Sequence, residues 1–379
     1  PPSWDRWTCA SGRRTGDPMI ENGLYDFIYG ISLWLMQVIA WPINNLLGWY
    51  GLGGWLISPG VVVFITTLLA ALVVFIVGFL VSITFIWEER KVLGRLMDRR
   101  GTQVGFLGLF QNFADGLKTF IKEHIIPDDV DKQLFNLAPV LLIAMSCLMI
   151  CLIPIGPDFY LADLQAGLLL VFAIFSLAPF AILMAGWSSN NKYTVMGGMR
   201  AAAQLIAYEV PILLSVAGVV VIVGSLNFMD IVAFQQENIW LIIPLFIGAL
   251  VFFIGVIAEV ERIPFDLPEA EAELVEGWMT EYGGFRWGLI MLSEYVRGFA
   301  ASGVLVLLFL GGWAGPDFIW PEVWFLIKMF LVFALFIWVR GALMRVTTKQ
   351  ILGLGWTKLM PLALINLGIA IALKMGGWL

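Results

Sequence analysis

Eight carboxylates stand between Ala258 and Tyr282 in the run AEVERIPFDLPEAEAELVEGWMTEY: Glu259, Glu261, Asp266, Glu269, Glu271, Glu273, Glu276 and Glu281. One basic residue, Arg262, accompanies them. Apolar runs long enough to cross a bilayer lie on both sides, and a charge beside hydrocarbon is costly. Pro264 and Pro268 predict an extended stretch over Phe265–Leu267, and Pro268 suits the first turn of a helix. Glu269, Glu273 and Glu276 then fall on one face at i, i+4 and i+7, with Leu274, Val275 and Trp278 forming an apolar face. Carboxylates this close cannot all ionise cheaply. Part of the set is expected to hold protons near neutral pH and to titrate as coupled groups. A solvated acidic loop is the plainer reading of a charge run; Glu259 at a membrane edge and the two prolines argue against it.

Charges inside the apolar runs form a second group. Glu209 lies in QLIAYEVPIL with Pro211 behind it, and Glu294 and Arg297 lie one turn apart in LSEYVRG, placed to pair. Lys328 and Lys374 complete the group. An intramembrane carboxylate is most often part of a proton relay, although a Glu294–Arg297 pair could serve only to lock helices. A third group is basic: Arg90, Lys91 and Arg95 follow Glu88 and Glu89 directly, and Ala114–Glu123 reads as an amphipathic surface helix. Cys147 and Cys151, one turn apart, read as core packing.

The elements that position these groups follow from composition. The chain of 379 residues is 60% hydrophobic and 13% charged, against about 25% charged in soluble domains. The fold class is therefore an all-α integral membrane protein. Eight spans are expected: Val61–Ile86, Leu134–Pro154, Leu161–Ala185, Leu205–Leu226, Trp240–Ala258, Gly288–Gly312, Val323–Met344 and Trp356–Met375. Leu24–Tyr50, broken by Pro42 and several glycines, reads as an interfacial helix or a ninth span. Residues 1–60 thus form an N-terminal extension and 61–379 the membrane domain, with loops at 87–133, 186–204, 259–287 and 345–355. Residues 1–23 lack the pattern of a signal peptide, and Met19 offers an alternative start.

Lysine and arginine fall on alternate connections only, while 155–160, 227–239 and 313–322 contain none. The positive-inside rule then puts loops 87–133 and 259–287, and with them the acidic island, on the cytoplasmic side. Arg6, Arg13 and Arg14 are the exception. One histidine, His124, and three cysteines are too few for a haem, a histidine-rich metal site or a thiolate cluster. No basic patch suits nucleic acid. No residue here is expected to be catalytic by itself, and no metal or cofactor site is expected on this chain.

The motifs ERKVLGR (Glu89–Arg95), FADGLKTFIKEHIIP (Phe113–Pro127), AGWSSNNKY (Ala185–Tyr193), RAAAQLIAYEVP (Arg200–Pro211), the acidic run itself, LGGW (Leu310–Trp313) and LGLGW (Leu352–Trp356) resemble one family. It is the quinone-site membrane subunit of respiratory complex I, NADH–quinone oxidoreductase: the H-type subunit of the bacterial enzyme, subunit one in mitochondria. The resemblance implies a place at the heel of the membrane arm of a proton pump in the cell (inner) membrane. Neighbours would be the peripheral-arm iron–sulfur subunits, small membrane subunits and antiporter-like subunits. FMN and iron–sulfur clusters would sit on those partners, with quinone as the substrate.

Carried over, Arg90, Lys91, Arg95, Arg262 and Asp266 would line or flank the quinone chamber. Glu259, Glu269, Glu271 and Glu273 would respond to quinone reduction, with Glu209 and Glu294 in the buried charge path. The sequence departs from the family pattern at Arg99–Gly105 (RRGTQVG) and at Thr347-Thr348-Lys349-Gln350. Those departures leave open an equivalent anchor subunit of a quinone-independent, ferredoxin- or hydrogenase-linked ion pump. A solitary transporter is a third reading, but no inverted internal repeat supports it.

Overall fold

The computed structural model describes Ile28, residues 59–266, Pro268, residues 270–316 and residues 319–377. Apart from Ile28, the segment Leu24–Tyr50 falls outside the described residues, as does Glu269. Among the described residues all regular structure is helical, and seven helices are long and apolar enough to cross a membrane.

Helix α1 (Pro59–Leu96) leads to a short surface helix, α2 (Phe110–Ile121), and then to α3 (Lys132–Leu152). The next crossing, Gly167–Ser188, is made of α4 (Gly167–Phe175) and α5 (Ala178–Ser188), interrupted just before Pro179. Then come α6 (Lys192–Val223), α7 (Phe228–Glu237) and α8 (Phe246–Glu259). A four-residue turn of helix, α9 (Glu271–Leu274), precedes α10 (Gly284–Phe309) and α11 (Pro321–Ala342). The last crossing, Thr348–Met375, joins α12 (Thr348–Gly353), a π-helical turn at Leu354–Leu359, and α13 (Met360–Met375).

Each expected span has a helix, but the boundaries differ in one instructive way. Helix α1 runs ten residues beyond Ile86, and α6 begins at Lys192 rather than Leu205. Hydropathy marks where the apolar stretch ends. The helix itself continues because its backbone bonds are satisfied internally, and Asn191 caps α6 by accepting from Tyr193 N–H at 3.1 Å. The fifth span is short: α8 has 14 residues, about 21 Å at 1.5 Å per residue, and turns at 241–245 complete it.

Helix α10 is the axis of the bundle, with 89% of its apolar window buried against 33% for α1. Phe85 of α1 stacks on Phe333 of α11 at 4.1 Å between centroids and also contacts Phe299 of α10. That aromatic contact ties the three helices that wall the site.

Candidate functional site

A cavity of about 500 Å³ lies where α1 overruns its apolar stretch. Its walls are the end of α1, the turn at 99–102, the loop 261–266, α10 and the end of α11. Gly101 lets that turn close on α1, since a Cβ there would come within 2.7 Å of the Arg90 carbonyl oxygen. Arg90, Arg99, Arg100, Arg262 and Arg340 face the cavity together with Glu89, Glu261, Asp266 and Glu294.

Most of these charges are paired. Glu89, buried at 4% exposure, meets Arg262 at 3.3 Å and also Arg340. Arg262 reaches Glu294 at 3.9 Å and lies 4.4 Å from the Tyr295 ring centroid, a cation–π contact. Arg297, almost wholly buried, lies 3.6 Å from Glu261 and donates to the Glu259 carbonyl oxygen at 3.5 Å. Asp266 meets Arg345 at 3.0 Å, and Arg90 meets Asp115 of α2. The pairing expected within α10 is thus directed elsewhere: Glu294 and Arg297 each reach the loop. Gly298, one residue on, gives room to Phe333 of α11, whose ring a Cβ there would meet at 3.3 Å.

Glu261 is the most confined of the carboxylates. Its φ of 54° is left-handed, and neither buried oxygen accepts a hydrogen bond within the protein. Its 3.6 Å contact with Arg297 is an ion pair longer than a hydrogen bond. Burial pushes its carboxyl up from the ordinary 4.5 to about 7, with Arg297 pulling it back and Glu294 and Asp266 pushing it further. A carboxyl of this kind can exchange a proton near neutral pH.

Of the residues expected at the site, Arg90, Arg262, Asp266 and Glu294 line the cavity, while Lys91 and Arg95 lie on the same helix outside its lining. Glu259, 6% exposed, and half-buried Glu209 share a second, much smaller pocket with Phe172, Ile212 and Phe252. A turn precedes the stretch expected to be extended, with Phe265 N–H donating to Arg262 O at 2.8 Å, and Leu267 lies outside the described residues. The helix expected from Pro268 is only α9, which ends at Val275 where φ reaches 69°. The outer carboxylates are therefore spread out rather than stacked. Glu273 pairs with Arg200 at 2.7 Å and Glu281 accepts from Asn191 at 2.7 Å. Glu271 begins α9, and its side chain lies outside the described residues.

Two intramembrane charges turn out to be helix caps. Lys328 Nζ donates to the carbonyls of Leu310, Gly312 and Ala314 at 2.8, 2.9 and 2.6 Å, past the end of α10. Lys374 Nζ donates to Ile222 O at 2.7 Å, at the end of α6. The LGGW motif is explained by the same geometry: Gly311 and Gly312 take φ of 71° and 53° to fold those carbonyls around the ammonium.

Sequence reasoning passed over Glu89, Glu261, Arg340 and Arg345 as site residues. Glu89 carried a signal, an acid placed directly before a basic cluster. Arg340 and Arg345 looked like topology markers, and nothing local distinguishes them. Among the described residues no group of three or more His, Cys, Asp or Glu is arranged to hold a metal ion.

The chain matches the family model described as NADH dehydrogenase over residues 66–371. It is similar to the H-type subunits of NADH-quinone oxidoreductase from Bacillus cytotoxicus, Bacillus thuringiensis and Bacillus cereus. Identity is 46% over 313 residues in each case, covering 81% of this chain and 93% of the relative. With its bundle of apolar helices and a charged cavity at one end, the chain belongs to the family of H-type subunits, the multi-pass membrane subunit of bacterial NADH–quinone oxidoreductase.

Proposed function

We propose that the cavity receives the quinone headgroup in the assembled complex, and that its carboxylates carry the charge change of quinone reduction into the membrane. The observation that carries this reading is the cavity itself, walled by paired arginines and carboxylates and bordered by Glu261. The names of the relatives, which include quinone, support it against the quinone-independent alternative. The alternation of lysine and arginine supports a cytoplasmic position for the cavity in a cell (inner) membrane.

In this reading the peripheral-arm subunits hold FMN and the iron–sulfur clusters and supply two electrons. Each quinone oxygen then takes one proton. Arg90 and Arg262 offset the negative charge that builds on those oxygens, while Lys91 and Arg95 flank the entrance. Loss of protons from the cavity changes the charge borne by Glu261, which Glu294 and Asp266 border. Through Arg297 that change reaches Glu259, and Glu209 shares the pocket beyond it. Glu273, paired with Arg200, belongs to the outer continuation of the same loop, and Glu269 and Glu271 are proposed as further carboxylates of the coupling set. Small membrane subunits and antiporter-like subunits take the charge change onward.

The test is reduction of a short-chain quinone by the purified complex carrying Arg262→Met or Glu294→Gln in this chain. Retained assembly with a large loss of quinone turnover is expected. A parent complex that evolves hydrogen and ignores quinone would overturn the reading.

A further inference from the structure

One side chain holds both ends of the loop that carries the buried carboxylates. Gln204, 3% exposed in the middle of α6, donates from Nε2 to Ala258 O at 3.0 Å and to Phe265 O at 2.8 Å. Both partners are carbonyls, so only the amide nitrogen can face them and the orientation of the amide is settled. Between the two anchor points lie Glu259, Glu261 and Arg262, and Asp266 follows directly. The loop has its own turns, with Glu261 N–H donating to Ala258 O and Arg262 N–H to Ile257 O, each at 3.2 Å. Gln204 spans it from end to end.

The neighbours of Gln204 on the same face of α6 point the same way. Arg200, one turn before, pairs with Glu273 at 2.7 Å. Tyr208, one turn after, lies 5.2 Å from the Phe265 ring and donates to Ile351 O at 3.0 Å. This i, i+4, i+8 stripe touches the inner loop, its outer continuation and the last crossing just ahead of the π-helical turn. The residue after Tyr208 is Glu209.

We propose that Gln204 is a positioning residue of the coupling reaction, holding the Ala258–Asp266 loop closed on α6 so that Glu259 and Glu261 shift together when charge changes in the cavity. This deepens the quinone reading and rests on it. Gln235 provides the comparison a purely structural role demands. It is equally buried and donates to Leu307 O at 2.8 Å while accepting from Gly311 N–H at 3.0 Å, but it lies at the opposite end of α10.

The experiment uses the assembled complex with Gln204→Met, Gln204→Glu or Gln235→Met in this chain. Gln204→Met is expected to speed backbone hydrogen exchange over 258–266 by about tenfold, the equivalent of one to two lost hydrogen bonds. Its kcat for short-chain quinone and its protons moved per electron should both fall, with KM within about twofold of the parent. Gln235→Met should lower thermal stability and leave the exchange of 258–266 and the proton ratio unchanged. Gln204→Glu can donate to one carbonyl when protonated and to neither when ionised, so its turnover should fall between about pH 5 and about pH 8 more steeply than that of the parent. That pH profile decides the matter if Gln204→Met does not assemble. Parent-like exchange over 258–266 in Gln204→Met, equal effects in Gln235→Met, or a parent-like pH profile in Gln204→Glu would each overturn the proposal. A parent complex that reduces no quinone would instead sink the functional reading, while the exchange data still decide whether Gln204 holds the loop.

Discussion

Arg262, in the loop after α8, lies 3.3 Å from Glu89 at the end of α1, a contact across 173 residues of chain. Both side chains are largely buried, at 15% and 5% exposure. Glu89 also meets Arg340, so losing Arg262 leaves the buried carboxylate one guanidinium short rather than wholly unpaired. Arg262→Met should destabilise the complex by less than the about 3–5 kcal/mol of a buried pair broken outright, read as a lower inactivation temperature. Adding Glu89→Gln to it should recover part of the loss. Strictly additive losses would mean that the contact carries no coupling energy.

Glu261 predicts a pH dependence whose sign is set by its raised carboxyl, from 4.5 to about 7. The folded chain keeps this proton to higher pH than the unfolded chain does. Its contribution is therefore complete below about 4.5 and is lost as pH rises through about 7, on the order of 3 kcal/mol in all. Inactivation temperature measured across that window should slope downward in the parent, and Glu261→Gln should flatten the slope. An unchanged slope in the variant would refute the assignment.

Lys328→Met should behave as a stability variant. It removes an ammonium from three carbonyls at the end of α10, a loss of about 3 kcal/mol. Thermal inactivation should occur earlier while the complex that survives keeps its proton-to-electron ratio. A changed ratio at parent-like stability would show that Lys328 does more than cap a helix.

Gly197→Ala should impair assembly. The added Cβ would lie 2.6 Å from the Trp278 backbone nitrogen and 2.8 Å from Gly277 Cα, and neither is a flexible side chain. A cost of about 2 kcal/mol is expected from the overpacking, checked by the yield and thermal stability of the complex. Gly353→Ala is a suitable control, because a Cβ there meets nothing within 4 Å.

Much of this was legible in the residues alone. The spans and motifs came from hydropathy, spacing and resemblance; the resemblance grouped Arg90, Arg262 and Asp266 but set Glu294 apart in a buried charge path, whereas all four line one cavity. The carboxylate face expected over Glu269–Glu276 is cut short, because Val275 leaves helical space before Glu276 is reached; Glu273 pairs with Arg200, and Glu269 lies outside the described residues. Lys328 and Lys374 stand in the sequence only as charges inside apolar runs, and the carbonyls at two helix ends claim them.

The order of apolar runs along the chain determined that this is a bundle of membrane helices with an acidic loop between the fifth and sixth. Transfer into hydrocarbon depends on local composition, so that much is decided residue by residue. Which acid meets which arginine was decided only by packing. Glu89, Arg262, Glu294 and Arg340 come from four separate segments. Their partnership exists because α10 runs through the centre and lets α1, α11 and the loop close around one end of it. Gln204 belongs with them: in the sequence it is one polar residue in an apolar helix, and in the fold it is the clasp of the carboxylate loop.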